Sequence, residues 1–157
     1  MSRRGRASGA AAAAAELHRT VTERLANRDQ RFTQGRRTIV DALTTAHAPL
    51  TLPELLAVAP SLALSSTYRN LSILEEAGVV RRLVHGGEHA HYELAEDLTG
   101  HHHHLICTTC GSVRDVTLDT KLERSLDSAF DRVAGGAGFR ADRHAIDIYG
   151  ACADCAS

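Results

Sequence analysis

Apolar residues recur at helical spacing through the first half of the chain and predict four helices. The inner faces of the first two are Leu17, Val21 and Leu25, then Ile39, Val40 and Leu43. Thr33 precedes the second helix, where a hydroxyl side chain accepts a hydrogen bond from a free backbone N–H group. Residues 1–15, mostly Arg, Gly, Ser and Ala, show no such period, and we predict that they form a disordered tail.

The third helix is short. Thr51 stands just before Pro53, a residue favoured in the first helical turn, so a helix is predicted from Pro53 to Val58 and ends near Pro60.

The fourth predicted helix carries Leu64, Leu71 and Leu74 on its inner face. Ser65 and Ser66 are its candidate N-terminal caps, and Gly78 ends it.

Two strand-like runs follow the fourth helix, at residues 79–84 and 90–94, and Gly86-Gly87 between them is a hairpin signal. Helices followed by a two-stranded wing predict a winged helix-turn-helix domain. In that architecture the last helix before the wing enters the major groove of DNA. Polar residues on its outer face therefore become candidate contacts to bases and phosphates, and the ring of Tyr68 suits a thymine methyl group. The polar candidates are Ser65, Ser66, Arg69 and Ser72.

Charge separates the two ends of the chain although the net charge is only −1. Residues 1–40 hold nine arginines and three acidic residues, whereas the rest holds nine basic and sixteen acidic residues. A basic front end is typical of nucleic-acid binding, and an acidic, histidine-rich remainder suits divalent cations. No stretch reaches the apolar length of a membrane span, and we expect a cytoplasmic protein.

All four cysteines fall in two Cys-x2-Cys turns, Cys107/Cys110 and Cys152/Cys155. Two such turns supply the four thiolates that structural zinc prefers. The competing interpretation, two disulfides, needs an oxidising compartment and an export signal, and no apolar signal core follows the N-terminal arginines. We therefore predict a structural Zn²⁺ site of Cys107, Cys110, Cys152 and Cys155.

Four consecutive histidines, His101–His104, stand just before the first cysteine pair. On an extended strand His102 and His104 face one way and His101 and His103 the other, so two metal sites can share one strand. The nearest further donors along the sequence for the first site are His89, His91, Glu93, Glu96 and Asp97. The isolated His18 is expected to be an ordinary polar residue.

The residues from Ser65 to Leu71 and from Glu76 to Val80 resemble the recognition helix of the ferric uptake regulator family. The segments His101–Cys110 and Tyr149–Cys152 resemble that family's zinc-binding dimer domain. The resemblance spans about residues 20–155, with Thr67 where the family usually has valine.

The resemblance implies an α+β homodimer whose winged-helix domain (16–95) precedes a small α/β metal-binding dimerisation domain (96–157). It implies binding to palindromic double-stranded operator DNA, with Arg31 in a minor groove and Tyr68 and Arg69 in the major groove. It also implies two ligand sets. The sensory set is Glu93, His102 and His104 with His89 or His91; the second set is His101, His103, Glu123 and His144. Asp115 is a further carboxylate candidate, and His47 occupies a place from which some relatives draw a ligand.

The expected function is a metal-dependent DNA-binding repressor of metal homeostasis genes, not an enzyme. Nitrogen and oxygen ligands favour Fe²⁺ or Mn²⁺ at the sensory site and permit Zn²⁺ or Ni²⁺. Peroxide sensing by a repressor of the same family is one alternative. A zinc-stabilised protein-interaction module is another, since a winged helix can also bind protein.

Overall fold

A computed structural model describes residues 4–46, 48–85 and 89–156 of the chain, with side chains from residue 11 onwards. The candidate ligand His47 and the Gly86-Gly87 hairpin signal lie outside the described residues. The chain divides into two compact units. Of the described residues, those up to 84 together with 89–99 form the first unit, and residue 85 with 100–156 forms the second.

The first unit is a winged helix-turn-helix domain. Its elements in chain order are α1 Arg4–Ala26, α2 Gln34–Ala46, β1 Leu50–Thr51, α3 Leu52–Val58, α4 Leu64–Glu76, β2 Val80–Leu83, β3 His91–Leu94 and α5 Glu96–Thr99. The strands form an antiparallel sheet in the order β1-β3-β2. Helices α1 to α4 and both wing strands were predicted, whereas the two-residue strand β1 and the short helix α5 were not.

One apolar core holds the helices of this unit against its sheet. Most of the predicted inner-face residues are buried in it, namely Val21, Leu25, Ile39, Val40, Leu43, Leu71 and Leu74. Burying each of these side chains stabilises the unit by roughly 2 kcal/mol. Leu17 is only partly buried, and Leu64 is 55 % exposed, so its predicted inward position is wrong. Leu64 is the first residue of α4, where the helix has not yet turned its face to the core.

The N-terminal tail needs a correction. Helix α1 begins at Arg4, so residues 4–15 are helical and not disordered as predicted. The six consecutive alanines at 10–15 explain the difference, because alanine has the highest intrinsic helix propensity even without an apolar period.

A capping box begins α3, whereas the caps predicted for α4 are wrong. The Thr51 side chain accepts a hydrogen bond from the backbone N–H of Glu54, and the Glu54 carboxylate accepts one from the Thr51 N–H in return. Helix α4 begins at Leu64, before both predicted cap residues, and follows Ala63, which forms no side-chain cap. Ser65 and Ser66 therefore lie inside the helix, and the Ser66 hydroxyl donates to the Ala63 carbonyl.

The second unit is a small α/β domain. Its elements are β4 His103–Cys107, β5 Val113–Val116, α6 Thr120–Gly136 and β6 Asp147–Gly150. Strand β4 lies at the centre of the sheet, antiparallel to β5 and parallel to β6. The boundary between the units follows Thr99, four residues later than the predicted domain boundary, because α5 belongs to the first unit. Among the described residues, no helix is both long and apolar enough to cross a membrane.

Candidate metal centres and nucleic-acid interface

The four cysteines converge at the end of the second sheet. Cys107 ends strand β4 and pairs in register with Gly150 of β6, which brings the turn at Cys152 beside the first cysteine pair. The four sulfur atoms all lie within 4.8 Å of one another, and none is in a disulfide. This convergence of all four sulfurs favours one metal site over two disulfides.

The spacing and the hydrogen bonds of this cluster fit zinc. Two sulfurs bound to one tetrahedral Zn²⁺ at about 2.3 Å stand roughly 3.8 Å apart. The Sγ atoms of Cys110 and Cys152 are 3.8 Å apart. Backbone N–H groups, led by Cys110 and Cys152, donate to the Cys107 sulfur and lower the pKa of that thiol to about 5.

The Cys155 thiol, in contrast, resists ionisation. Hydrogen bonding to the sulfurs of Cys152 and Cys110 raises the pKa of Cys155 to about 12. A bound Zn²⁺ would supply the positive charge that lets four crowded thiolates coexist.

A second cluster joins His101 and His103 to Glu123 and His144. His103 begins β4 and His101 lies two residues before it, while Glu123 lies in the first turn of α6 and His144 precedes β6. All three histidine rings contact the Glu123 carboxylate. Its Oε1 atom is 2.8 Å from His101 Nε2 and 2.9 Å from His144 Nε2, and its Oε2 atom is 3.3 Å from His103 Nε2. The structure thus brings together the four residues predicted for the second metal site.

The donor atoms of this second cluster also have the spacing of a coordination shell. The Nε2 atoms of His101 and His144 are 3.3 Å apart, and two imidazoles on one tetrahedral Zn²⁺ stand about 3.4 Å apart. Burial opposes ionisation of Glu123, but hydrogen bonds from His103 and His101 outweigh it, so the pKa of this carboxyl is lowered. Asp127, which sequence analysis missed, contacts the outer nitrogen of His144, with 3.2 Å between Oδ1 and Nδ1.

His102 and His104 lie on the other side of β4 with Asp115, as the predicted alternation requires. One donor atom from each of these three residues lies within 4.8 Å of the other two. Asp115 occupies the position on β5 that pairs with His104. Asp147 of β6, also missed from sequence, contacts His104 Nδ1 at 3.1 Å.

The other predicted sensory ligands belong to the first unit. His91 and Glu93 lie on β3 and are buried, and Arg81 Nη1 is 3.5 Å from the Glu93 carboxylate. Neither His89 nor His91 belongs to a group of three or more ligand residues in the described part of the chain. Their roles, and that of Glu93, stay predictions. His18 contacts Asp41 and Arg37, as expected of an ordinary polar residue.

Helix α4 presents the predicted DNA-contacting side chains to solvent. Ser65, Ser66, Tyr68 and Arg69 are all exposed, Tyr68 to 56 %. Thr67 is fully buried, and its hydroxyl donates to the Ala63 carbonyl, which accounts for the family's usual valine being replaceable here.

A buried arginine, which sequence analysis did not single out, ties helix α4 to the segment before α2. Arg36 donates to Asn70 Oδ1 at 3.2 Å, to the Arg31 carbonyl at 2.5 Å and to Gln30 Oε1 at 3.0 Å. Arg31 itself is exposed. Arg36 therefore holds the backbone of one predicted DNA-contacting residue against the helix that carries the others.

Comparison with known proteins agrees with this geometry. The model of the ferric uptake regulator family matches residues 27–149. The peroxide operon regulator of Bacillus subtilis is 28 % identical over 147 residues, covering 91 % of this chain and 95 % of the relative.

Two solved structures extend the comparison. The Helicobacter pylori ferric uptake regulator aligns with a TM-score of 0.71 at 19 % identity, covering 92 % of this chain and 94 % of that one. A zinc-bound manganese uptake regulator aligns with a TM-score of 0.61 at 26 % identity, covering 85 % and 98 %. A winged helix, an α/β unit with three convergent ligand clusters and a family match over most of the length lead to one conclusion: the chain belongs to the ferric uptake regulator family and is a metal-dependent transcriptional regulator.

Proposed function

We propose that this protein is a cytoplasmic homodimer that represses transcription by binding operator DNA when His102, His104 and Asp115 hold a divalent metal ion. The observation that carries the proposal is the convergence of these three donors on one side of β4, while the cysteines form a separate cluster at its end. A regulator needs one site that stays filled and another that exchanges its ion. The chain acts in this proposal through binding and not through catalysis.

The four-cysteine cluster is the site proposed to stay filled, with a structural Zn²⁺. Thiolates bind Zn²⁺ tightly, and such sites couple binding to folding because the ligands are scattered in the unfolded chain. Apart from the cysteines, the described part of the second unit has few buried apolar residues, chiefly Ile106 and Val113. Zn²⁺ would therefore supply much of the stability of this unit.

The exchangeable site has only nitrogen and oxygen donors, because every cysteine lies in the other cluster. Imidazole and carboxylate ligands suit Fe²⁺ and Mn²⁺ and also accept Zn²⁺ or Ni²⁺. We favour Fe²⁺ or Mn²⁺, and the similarity to a manganese uptake regulator supports this choice. The resemblance to the family adds Glu93 to the ligand set, and a Glu93→Ala variant tests that addition.

Helix α4 supplies the DNA-reading surface. Tyr68 and Arg69 are exposed side by side on it, in the helix that precedes the wing, and Arg31 adds a positive charge before α2. Contacts of Arg69 and Arg31 with phosphates would make binding depend on salt concentration. A module that binds only protein would show no salt-dependent binding to operator DNA in the presence of metal.

The dimer contact is proposed for the apolar surface of the second unit. None of the residues of α6 is buried, although the helix is strongly amphipathic. Its apolar side chains, with Phe139 just beyond it, are left in solvent by a single copy of the chain. The most exposed are Leu122, Val133 and Phe139. A second copy that covers this face explains why a soluble sequence retains it.

The test removes the proposed sensory ligands together. A His102→Ala/His104→Ala double variant should lose Mn²⁺-dependent binding to operator DNA by at least tenfold. Its zinc content and dimeric mass should remain those of the natural protein. Operator fragments selected from random DNA with the Mn²⁺-loaded protein, gel-shift titration, metal analysis and light scattering provide the measurements.

His18→Ala is the matched control, because it removes one imidazole that contacts Asp41 and lies in none of the three clusters. It should bind DNA as the natural protein does. Metal-dependent repression by the double variant would refute the sensory assignment.

Peroxide sensing is the second candidate, and the similarity to the peroxide operon regulator favours it. In that case peroxide would oxidise His102 or His104 when Fe²⁺ occupies the site, and DNA binding would be lost. Mass spectrometry of peptides from Fe²⁺-loaded and Mn²⁺-loaded protein after peroxide treatment separates the alternatives. An added oxygen on these histidines only with Fe²⁺ supports peroxide sensing, and unmodified histidines with both metals exclude it.

A further inference from the structure

The ring of His104 lies between two carboxylates that address its two different nitrogen atoms. His104 pairs in register with Asp115 on β5 and with Asp147 on β6, so both acids flank it within the sheet. Asp147 Oδ1 is 3.1 Å from Nδ1, and Asp115 Oδ1 is 4.0 Å from Nε2. Asp147 therefore lies at hydrogen-bond distance from one ring nitrogen, whereas Asp115 lies farther from the other.

The distances assign different tasks to the two acids. At 3.1 Å the Asp147 carboxylate accepts a hydrogen bond from the ring N–H group. At 4.0 Å the contact with Asp115 is too long for a hydrogen bond, but it falls within the separation of two donors that share one cation. Ligands at about 2.1 Å from an ion stand roughly 3 to 4.2 Å apart, depending on the angle between them.

A neutral imidazole carries one N–H group and one lone pair. A hydrogen bond from Nδ1–H to Asp147 leaves the lone pair on Nε2, which is the nitrogen on the side of Asp115. Outer carboxylates of this kind orient ligand histidines and strengthen their binding to metal.

We propose that Asp147 is a positioning residue of the sensory site, which holds His104 in the tautomer whose Nε2 binds metal without itself binding the ion. This inference rests on the proposed role of His104 as a sensory ligand. Asp147 belongs to none of the ligand groups in the described residues. The carboxylate is about one-third exposed, so its hydrogen bond is shielded from most, though not all, of the solvent.

The second cluster repeats the arrangement and provides an internal comparison. Asp127 Oδ1 is 3.2 Å from His144 Nδ1, while the Nε2 of the same ring faces Glu123 at 2.9 Å. Asp127 is 56 % exposed, more than Asp147, so water competes more strongly for its hydrogen bond. Its effect on the second site should therefore be smaller.

The experiment exchanges each carboxylate for the amide of the same shape. Asp147→Asn keeps the volume but also offers an NH₂ group that can donate to Nδ1, which would move the ring proton to Nε2 and block the ligand. In a Glu123→Ala background, where the second cluster lacks its carboxylate, we expect Asp147→Asn to weaken Mn²⁺ binding by 10- to 100-fold. Asp127→Asn in that background should leave this affinity unchanged, and Asp147→Glu should recover part of the loss.

The second readout needs no sensory metal. Long-range ¹H–¹⁵N spectra of the full chain, with zinc retained only in the four-cysteine cluster, should show the His104 proton on Nδ1 in the natural protein. The same proton should shift towards Nε2 in Asp147→Asn. A merely structural role would change stability without changing the tautomer.

The outcomes separate this inference from the proposed function. If His104→Ala abolishes Mn²⁺ binding while Asp147→Asn has natural affinity and tautomer, the positioning role is wrong and the sensory site stands. If His104→Ala itself leaves Mn²⁺ binding and DNA binding unchanged, the proposed function fails first.

Discussion

Replacing Arg36 should destabilise the DNA-binding unit and weaken DNA binding together. The side chain is 7 % exposed and makes three hydrogen bonds, two of them to the segment before α2 and one to Asn70 of α4. A net contribution of about 1 kcal/mol for each bond gives about 3 kcal/mol for Arg36→Ala. That loss lowers the ratio of folded to unfolded protein by roughly two orders of magnitude.

The assay is urea denaturation of the full zinc-loaded chain at fixed protein concentration, followed by helical circular dichroism. Arg36→Lys should be intermediate, because an ammonium group keeps the charge but cannot reach three acceptors in the geometry of a guanidinium. DNA affinity should fall in the same order, since Arg36 fixes the Arg31 carbonyl and Asn70.

Arg69→Ala is the matched control. Arg69 is exposed on α4, so its removal should change stability by less than about 0.5 kcal/mol while reducing DNA affinity. A stability of Arg36→Ala within that same margin of the natural protein would refute the reasoning. Equal destabilisation by Arg69→Ala would show that the loss does not come from the buried hydrogen bonds.

Three further changes test other parts of the structure. Cys155→Ser should release the zinc and unfold the second unit, seen as lost sheet signal with unchanged winged-helix amide resonances; a folded, zinc-free variant would contradict this. Tyr68→Ala should weaken operator binding with stability within about 0.5 kcal/mol of the natural value, since the ring is 56 % exposed, and a large stability loss would instead identify it as a packing residue. Burial raises the pKa of Glu54, but hydrogen bonds from Thr51 outweigh it and lower the pKa below its ordinary 4.5. The stabilisation by this carboxylate is thus complete above about pH 4.5 and is lost as the pH falls through the lower pKa of the folded state. The difference in unfolding free energy between the natural protein and Glu54→Gln should therefore shrink in acid. A difference that does not depend on pH would count against the cap.

The pairing of the cysteines and the alternation of the histidines follow from local spacing, which is why both could be predicted from sequence. Two Cys-x2-Cys turns fix the geometry within each pair, and a run of histidines on a strand must alternate between its faces. Glu123 and His144 came from resemblance to the family. They could not come from spacing, because the structure joins them to the strand through α6 and the segment before β6.

The supporting residues were missed for a physical reason. Asp147 and Arg36 act through partners far away in the chain, on a parallel strand pair and across two helices. A single aspartate or arginine carries no local signal for such partners, since most of these residues lie in solvated positions. Predictions for the ends of two helices were also wrong, because the alanines extend α1 towards the N-terminus and the serines do not cap α4.

The seven residues from His101 to Cys107, which include strand β4, contribute donors to all three clusters. An ion at any one of them restricts the same stretch of backbone that the other two must also order. If the three clusters hold ions as proposed, their occupancies are thermodynamically linked. Whatever factor zinc adds to the affinity for the exchangeable ion, that ion adds to the affinity for zinc. Loss of zinc from the cysteines would then also blunt the response of the proposed sensory site to its own ion.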